Sequence, residues 1–303
     1  MKKGYFLTGD YSGFEKEINM IKTMLDEADI NVEIVNFNDI NVLAVDDFDG
    51  KIFVKGEEVD CPDFIVPGVI RERDVYKFKA VSRMLETFGV KCVTTVDGID
   101  KVADKIYSFQ LAKQYVPEVK IPKTILISDD VTLDMIEEQI GFPLVLKIMD
   151  GSQGKGVCLV ESKDELDNIL TIVTASEFGQ ELMAQEAILS SKGRDIRLVV
   201  GGGQLIHSFS RYNESSFKSN IHQGGSLQTF DAPQSLIDMS VKLIESFGLG
   251  LGSIDYLFGE NEDEFYLCEL NSLPGISYIF AAKESGDTAV IDRYTDAIKR
   301  AIM

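Results

Sequence analysis

Two carboxylates and one amide interrupt apolar runs near the end of this 303-residue chain. Asp255 lies within Gly252-Ser-Ile-Asp-Tyr-Leu-Phe258, and Glu269 and Asn271 lie within Leu267-Cys-Glu-Leu-Asn-Ser-Leu-Pro-Gly275. Side chains alternate along a strand, so Glu269 and Asn271 share a face, and an antiparallel neighbour would bring Asp255 beside them. Such groups are costly to bury among Ile254, Leu257, Leu267 and Leu270 without a cation. A small set of hard oxygen donors suits Mg2+ that is also held by the phosphates of a substrate. The plainer alternative, an exposed strand face, fits these neighbours badly.

A second set lies between Gly141 and Val160, where an apolar run carrying Lys147 enters a loop with Gly151, Gly154 and Gly156 and leaves as another apolar run. This reads as strand, loop, strand. The glycines permit positive φ and leave N–H groups bare, and Ser152, Lys155 and Lys147 add donors and positive charge for an anion. No G-x-x-x-x-G-K-[ST] occurs, and the flank after the loop is strand-like, so this is not a Walker A loop. Taken alone, such a hairpin is more often a mobile turn than a phosphate cradle.

With 45% hydrophobic and 26% charged residues the chain is of the ordinary globular kind, long enough for two or three domains. A net charge of −20 argues against nucleic acid or an anionic membrane as partner. It fits an acidic solubilising surface or a basic partner. No run approaches the ~20 apolar residues of a membrane span, and the N-terminus lacks a signal-peptide core, so a cytoplasmic location is expected. Cys61, Cys92, Cys158 and Cys268 are scattered singly and read as small buried hydrophobes. His207 and His222 are isolated, which leaves no Cys/His metal site and no Ser-His-Asp set.

The elements that must position these groups follow from periodicity. Residues 4–9, a helix from Phe14 to Ala28 and a strand at 31–37 make a β-α-β opening without G-x-G-x-x-G. A small hairpin at 42–54, a strand at 64–69, a helix at 74–88 and a strand at 91–95 complete an α/β domain over residues 1–97. Residues 98–184 read as a small α+β unit: two consecutive helices up to Tyr115, a strand at 121–127, a helix at 133–140, the glycine hairpin and a helix at 164–173. Lys105 sits among the helical apolar positions Val102, Ile106 and Phe109 and reads on composition as a solvated lysine. From 185 to 303 the pattern is strand-rich, with strands at 183–189, 195–200, 204–212, 252–258 and 264–270, a polar loop at 213–225, a helix at 234–247 and a C-terminal helix from about Ala289.

Taken in order, the motifs resemble a known family. They are the lysine strand with its glycine loop, Gln185-Glu-Ala-Ile188, Gly193-Arg-Asp-Ile-Arg197, Phe217-Lys-Ser-Asn-Ile-His-Gln-Gly-Gly225, Asp255, and Glu269-x-Asn271 followed by Ser-x-Pro-Gly. From about residue 60 to 280 the chain is similar to the ATP-grasp superfamily, and within it most similar to the RimK-like carboxylate–amine ligases. The resemblance implies an α/β and α+β fold, with a pre-ATP-grasp domain followed by two α+β subdomains that bind nucleotide between them. It implies ATP and two Mg2+ ions, with Mn2+ as a substitute.

Carried over by position, Lys105 and Lys147 are implied to reach the ATP phosphates, which reverses the plain reading of Lys105. The loop Gly151, Ser152, Gln153, Gly154, Lys155 and Gly156 is implied as the lid. Glu186 and Ile188 are implied as the hinge that reads the adenine edge, and Asp195 as the acid that holds the ribose. Arg197, Arg211, Lys218 and Asn220 are implied as catalytic residues near the transferred groups, and Asp255, Glu269 and Asn271 as metal ligands. Lys218 departs from the arginine of close relatives, a point charge in place of a bidentate fork. Near residue 67 close relatives carry Pro-Arg, where this chain has Pro67-Gly-Val-Ile-Arg71-Glu-Arg73. Arg71 and Arg73 bind an acceptor carboxylate or are simply solvated.

The implied reaction is ATP-dependent amide formation through an acyl phosphate, an acid–amino acid ligation that adds glutamate or another amino acid to a peptide, protein or small molecule. A small-molecule kinase on the same fold and a non-catalytic nucleotide-binding module are the alternatives. The implied partners are carboxylate and amine substrates, with no nucleic acid or membrane, and the implied assembly is a homodimer or tetramer.

Overall fold

In the computed structural model of the protein, residues 2–42, 50–128, 131–149, 155–175, 181–214, 216–219 and 226–303 are described. The strand Gly4–Thr8 (β1) is buried at every position, the pattern of a strand covered on both faces. The amphipathic helix Glu15–Glu27 (α1) leads from it to Val32–Asn36 (β2), which pairs parallel with β1. Ile40–Asn41 (β3), Lys51–Val54 (β4) and Glu57–Asp60 (β5) form a small antiparallel sheet. Residues 43–49 of the expected hairpin lie outside the described residues. Phe64–Pro67 (β6), helix Val75–Thr87 (α2) and Lys91–Cys92 (β7) complete a parallel sheet of order β2-β1-β6-β7.

Helices Val96–Ala103 (α3) and Lys105–Tyr115 (α4) follow, each opened by a side-chain cap: Thr95 accepts from the Gly98 N–H and Asp104 from the Tyr107 N–H. Thr124–Ile127 (β8), helix Leu133–Gln139 (α5), Leu144–Ile148 (β9), Val157–Val160 (β10), helix Lys163–Ala175 (α6) and Leu182–Glu186 (β11) build a sheet of order β10-β9-β11-β8. Leu144, Leu146, Val160 and Ala184 on one face pack against Ile136 of α5 and Leu166 of α6. The opposite face is left for the site.

Arg194–Gly201 (β12), Gln204–Tyr212 (β13), Ser226–Thr229 (β14), helix Gln234–Ser246 (α7), Leu251–Phe258 (β15) and Phe265–Asn271 (β16) form the largest sheet, of order β14-β13-β12-β15-β16. Ile196, Leu198, Ile254, Tyr256 and Leu267 on one face bury Leu243 and Ile244 of α7. Tyr256, fully buried, shares a hydrogen bond of 2.8 Å with Ser240. Helices Ser277–Ser285 (α8) and Thr288–Ile302 (α9) close the chain. They wedge Ile279, Tyr294, Ile298 and Ile302 against Phe6 and Val66 of the N-terminal sheet and against Val199, Ile206 and Leu251 of the large one.

Where structure and expectation differ, the reasons are local. The strand expected at 121–127 starts at Thr124, because Pro122 has no N–H for a ladder. The run expected to 189 leaves the sheet at Glu186 and turns through a 3-10 segment at Leu189–Ser191. The division expected at residue 184 falls inside β11, which pairs along its length with β9 and β8. Strand β14 is exposed throughout, its single apolar residue Leu227 included, and so lacks an alternating signal, and α8 buries only Ile279 and Ala282, too little to show a helical stripe. Among the described residues no helix is long and apolar enough to cross a membrane.

The segment after β7 meets the large sheet at Gly250. Its N–H donates to the Val93 carbonyl at 2.8 Å, and a Cβ at this position would lie 2.2 Å from that same oxygen. Backbone on both sides must shift to admit a methyl group. Gly250→Ala is therefore expected to destabilise the protein by about 1–3 kcal/mol. Chemical denaturation checks this, and an unchanged unfolding midpoint would show that the junction yields freely.

Candidate active site

The register of the large sheet sets the charges side by side. Pairing of β12 with β13 puts Asp195 opposite Arg211, pairing of β12 with β15 puts Arg197 opposite Asp255, and pairing of β15 with β16 puts Asp255 opposite Glu269. Arg197 donates from Nε and Nη2 to the two Asp255 oxygens at 2.6 and 2.7 Å. Arg211 grips both Asp195 oxygens at 2.6 Å, and its Nη2 also donates to Asp255 Oδ2 at 2.8 Å. Both pairs are bidentate, the strongest form of this contact. Arg211, Asp195 and Asp255 are buried, at 6%, 7% and 3% exposure, so little of this pairing is screened by water.

Burial would raise the Asp255 pKa, but the guanidiniums of Arg197 and Arg211 outweigh it and hold the group at about 2. Asp195 is shifted up, because burial together with Asp255 exceeds the pull of Arg211. Glu269 is also raised, by burial first and by Asp255 second, against the opposing charges of Lys105, Arg197 and Lys147. A carboxyl with a raised folded-state pKa adds stability below its unfolded value, and that stability is lost as pH rises through the folded value. At neutral pH the Glu269 charge is therefore a cost to the fold.

Facing this floor is the uncovered side of the small sheet. Between them lies a cleft of about 1100 Å3, counting space open to solvent. Lys105 and Lys147 point into it from α4 and β9, and Asp195, Arg211, Asp255 and Glu269 line it from the large sheet. Val145, Leu159 and Leu257 supply apolar walls, and the Cys268 thiol lies beside Glu269. Lys147 Nζ donates to Gln185 Oε1 at 2.6 Å, and Lys105 Nζ donates to the Met149 carbonyl at 2.6 Å.

Glu186 and Ile188 line one end of the cleft, where the Glu186 carboxylate accepts from the Lys123 N–H at 3.2 Å. Lys218 and Ser219 enter from a loop pinned to β12 at Gly193, whose N–H donates to the Phe217 carbonyl at 2.9 Å. Gly193 has φ +72, and a Cβ there would lie 2.5 Å from the Asn213 carbonyl, so glycine is required. Lysines on one wall, carboxylates and arginines on the other and an apolar slot at the side suit a nucleotide with its phosphates toward the charges.

A family model described as the RimK-like ATP-grasp domain matches residues 102–291. The chain belongs to the RimK-like ATP-grasp family. It is 32% identical over 252 residues to a protein of Maridesulfovibrio salexigens named probable alpha-L-glutamate ligase, covering 82% of this chain and 80% of that one. Among solved structures, the ATP-grasp ligase PsnB complexed with a phosphomimetic variant of a minimal precursor, Mg and ADP is similar with a TM-score of 0.72 at 13% identity, over 99% of each chain. D-alanine–D-alanine ligase from Bacillus anthracis is similar with a TM-score of 0.66 at 18% identity, over 99% of this chain and 97% of that one. At these identities the two likenesses speak to the fold, which is the ATP-grasp fold. This RimK-like protein is an ATP-dependent carboxylate–amine ligase.

Not every residue singled out in the sequence reaches the RimK-like cleft. Lys105, Lys147, Glu186, Ile188, Asp195, Arg211, Lys218, Asp255 and Glu269 line it. Arg197 is not among the lining residues and is bound to Asp255, and Asn271 lies two residue pairs beyond Glu269, opposite Ser253. Lys155 and Gly156 are not among the residues that line the cleft; they precede Val157, which does, and the Gly156 carbonyl accepts from the Ile148 N–H at 2.8 Å. Gly151, Ser152, Gln153, Gly154 and Asn220 lie outside the described residues. Gln185, which opens the Gln185-Glu-Ala-Ile188 motif but carried no expected role, also lines the cleft, and its polarity within Leu182-Met-Ala-Gln was the available signal.

Among the described residues no three His, Cys, Asp or Glu side chains gather as a metal cluster. The donors that the sequence motifs suggest for a divalent cation are the Asp255 and Glu269 carboxylates and the Asn271 amide. The set fits one: the two carboxylates face each other, and Asn271 Nδ2 is buried with no hydrogen-bond partner, the mark of an amide held for its oxygen. Glu269→Gln is accordingly expected to raise the melting temperature of the ligand-free protein at pH 7–8 while removing turnover. Thermal unfolding checks the first part, and a lower melting temperature would contradict the cost assigned to this charge.

Proposed function

We propose that this ligase activates a carboxylate as an acyl phosphate and joins it to the amine of an amino acid, with glutamate the first candidate from the name of its relative. The observation that carries the reading is the single cleft in which Lys105, Lys147 and Arg211 surround the carboxylates of Asp255 and Glu269. A carboxylate oxygen attacks the γ-phosphorus of ATP and ADP leaves. The amine nitrogen then attacks the acyl carbon, phosphate leaves, and the nitrogen gives up a proton as the amide forms.

In this reading Lys105 and Lys147 bind phosphate oxygens as fixed charges that need no rearrangement during transfer. Val145, Leu159 and Leu257 hold the base, backbone groups of Glu186 and Ile188 meet its edge, and Asp195 serves the ribose. Two of the three nitrogens of Arg197 are spent on Asp255, which leaves Nη1 for the oxyanion of the tetrahedral intermediate. Arg211 stands beside it, and Lys218 and Asn220 meet the transferred group from their loop. Gly151, Ser152, Gln153, Gly154, Lys155 and Gly156 act as a cover that keeps water from the acyl phosphate. Asp255, Glu269 and Asn271 would hold two Mg2+ ions, replaceable by Mn2+, which when bound supply positive charge against the phosphates.

The same reading divides the chain into an N-terminal domain of residues 1–97, a small subdomain from 98 to the end of β11, and a C-terminal subdomain, assembled as a homodimer or tetramer in the cytoplasm. The acid acceptor is a peptide, protein or small molecule. The test is a metal-dependent ADP-release screen of acids against amino acids, with mass spectrometry of the product. The expected result is ADP and phosphate release that requires both an acid and an amine and gives a product one amide heavier. ATP turnover indifferent to every amine would overturn the ligase chemistry proposed, and a stable phosphorylated product would mark a kinase.

A further inference from the structure

Lys147 does not stand alone on the cleft face of the small sheet. Its neighbours in the direction of the sheet edge are Gln185 on β11 and Thr124 on β8, which face each other in register. Two hydrogen bonds cross the three strands and a third ends on the chain just before β8. Lys147 Nζ donates to Gln185 Oε1 at 2.6 Å, Gln185 Nε2 donates to Thr124 Oγ1 at 2.8 Å, and Thr124 Oγ1 donates to the Pro122 carbonyl at 2.8 Å.

We propose that Gln185 and Thr124 are positioning residues that aim the Lys147 ammonium at the nucleotide phosphates through a one-way hydrogen-bond relay. This rests on the reading of Lys147 as a phosphate contact. The direction is set by proton counting. A carbonyl only accepts, so the single hydroxyl proton of Thr124 goes to Pro122, and the oxygen can then only accept from Gln185. The amide must spend its NH2 on Thr124 and turn its oxygen to Lys147. The opposite orientation would set an NH2 group against an ammonium, two donors facing each other.

The partner chosen for the lysine has a consequence for charge. Gln185 is 1% exposed, and a carboxylate at this depth would form an ion pair with Lys147 and cancel the charge that an incoming phosphate needs. The neutral amide oxygen orients the ammonium and leaves its full charge, with one of three N–H bonds spent and two to offer. Gln185 also fills a place that apolar residues would fill in an ordinary strand, since Met183 and Ala184 beside it are fully buried. A polar group so deep is retained for its bonds.

The relay is tested by the affinity of the full chain for a non-hydrolysable ATP analogue and for adenosine, which shares the base and sugar but carries no phosphate. Lys147→Met is expected to weaken the analogue roughly ten- to hundredfold and to leave adenosine unchanged. Gln185→Glu, the same size but charged, is expected to weaken the analogue roughly tenfold, again sparing adenosine. Thr124→Val is expected to weaken it roughly three- to tenfold, and Thr124→Ser to restore it, because serine keeps the hydroxyl. If Lys147→Met weakens the analogue while Thr124→Val and Gln185→Glu do not, the relay is overturned and the lysine reading stands. Equal losses for adenosine and the analogue in Thr124→Val would also overturn it, since they would show a disturbed sheet. Equal losses in Lys147→Met would instead overturn the phosphate reading of the lysine and the relay with it.

Discussion

Asp195 and Asp255 can occupy the same buried face because Arg211 lies between them. Two carboxylates this close and this dry would otherwise repel and take up protons. One guanidinium with a planar fork answers both: it closes a bidentate pair with Asp195 and still reaches Asp255, which Arg197 completes from the other side. A lysine, with a single charged nitrogen, has no equivalent geometry. Removing one partner from such a chain leaves an uncompensated buried charge, a loss of about 3–5 kcal/mol where it has been measured. The floor of the cleft is therefore fixed before any ligand arrives, while the upward shifts of Asp195 and Glu269 show that burial and the neighbouring Asp255 still weigh on its carboxylates.

The rest of the fold holds that floor against the opposite wall. The large sheet is anchored behind by α7 and at its far end by α8 and α9, which it shares with the N-terminal sheet. The small sheet has its own core with α5 and α6. Two bodies with separate cores thus present opposite charges across a gap: lysines on one, paired carboxylates on the other. A polyanion whose metal neutralises the carboxylates is the ligand that satisfies both walls at once.

Much of this was legible in the sequence, for physical reasons that differ by residue. Glu269 and Asn271 could be placed on one face because a strand alternates with period two, and Asp255 could be set opposite because its run is also apolar on the other face. The Lys147 strand and its glycine turn were visible in the same way. The exact register between strands, near or distant in sequence, was not. That Arg211 meets Asp195 depends on the register of β12 with β13, which shifts between Val199 and Val200, and no periodic signal reports such a shift. The bonds of Gln185 to Thr124 and Lys147 link three strands that are far apart along the chain. Composition alone makes Lys105 a solvated helix lysine, and only the family resemblance turns it toward the phosphates. It opens α4 directly after the Asp104 cap, and an aspartate before an apolar period was the signal for that start.

Cys268 lies among the groups that line the cleft, next to Glu269, where burial and the surrounding carboxylates push its thiol up to about 11 against the pull of Lys147. A thiol becomes a nucleophile only as its thiolate. At neutral pH this sulfur keeps its proton and behaves as a small apolar surface beside charged neighbours. Electrophilic labels and mild oxidants that need a thiolate are therefore expected to react slowly with it, a protection that comes first from burial and second from the carboxylates around it.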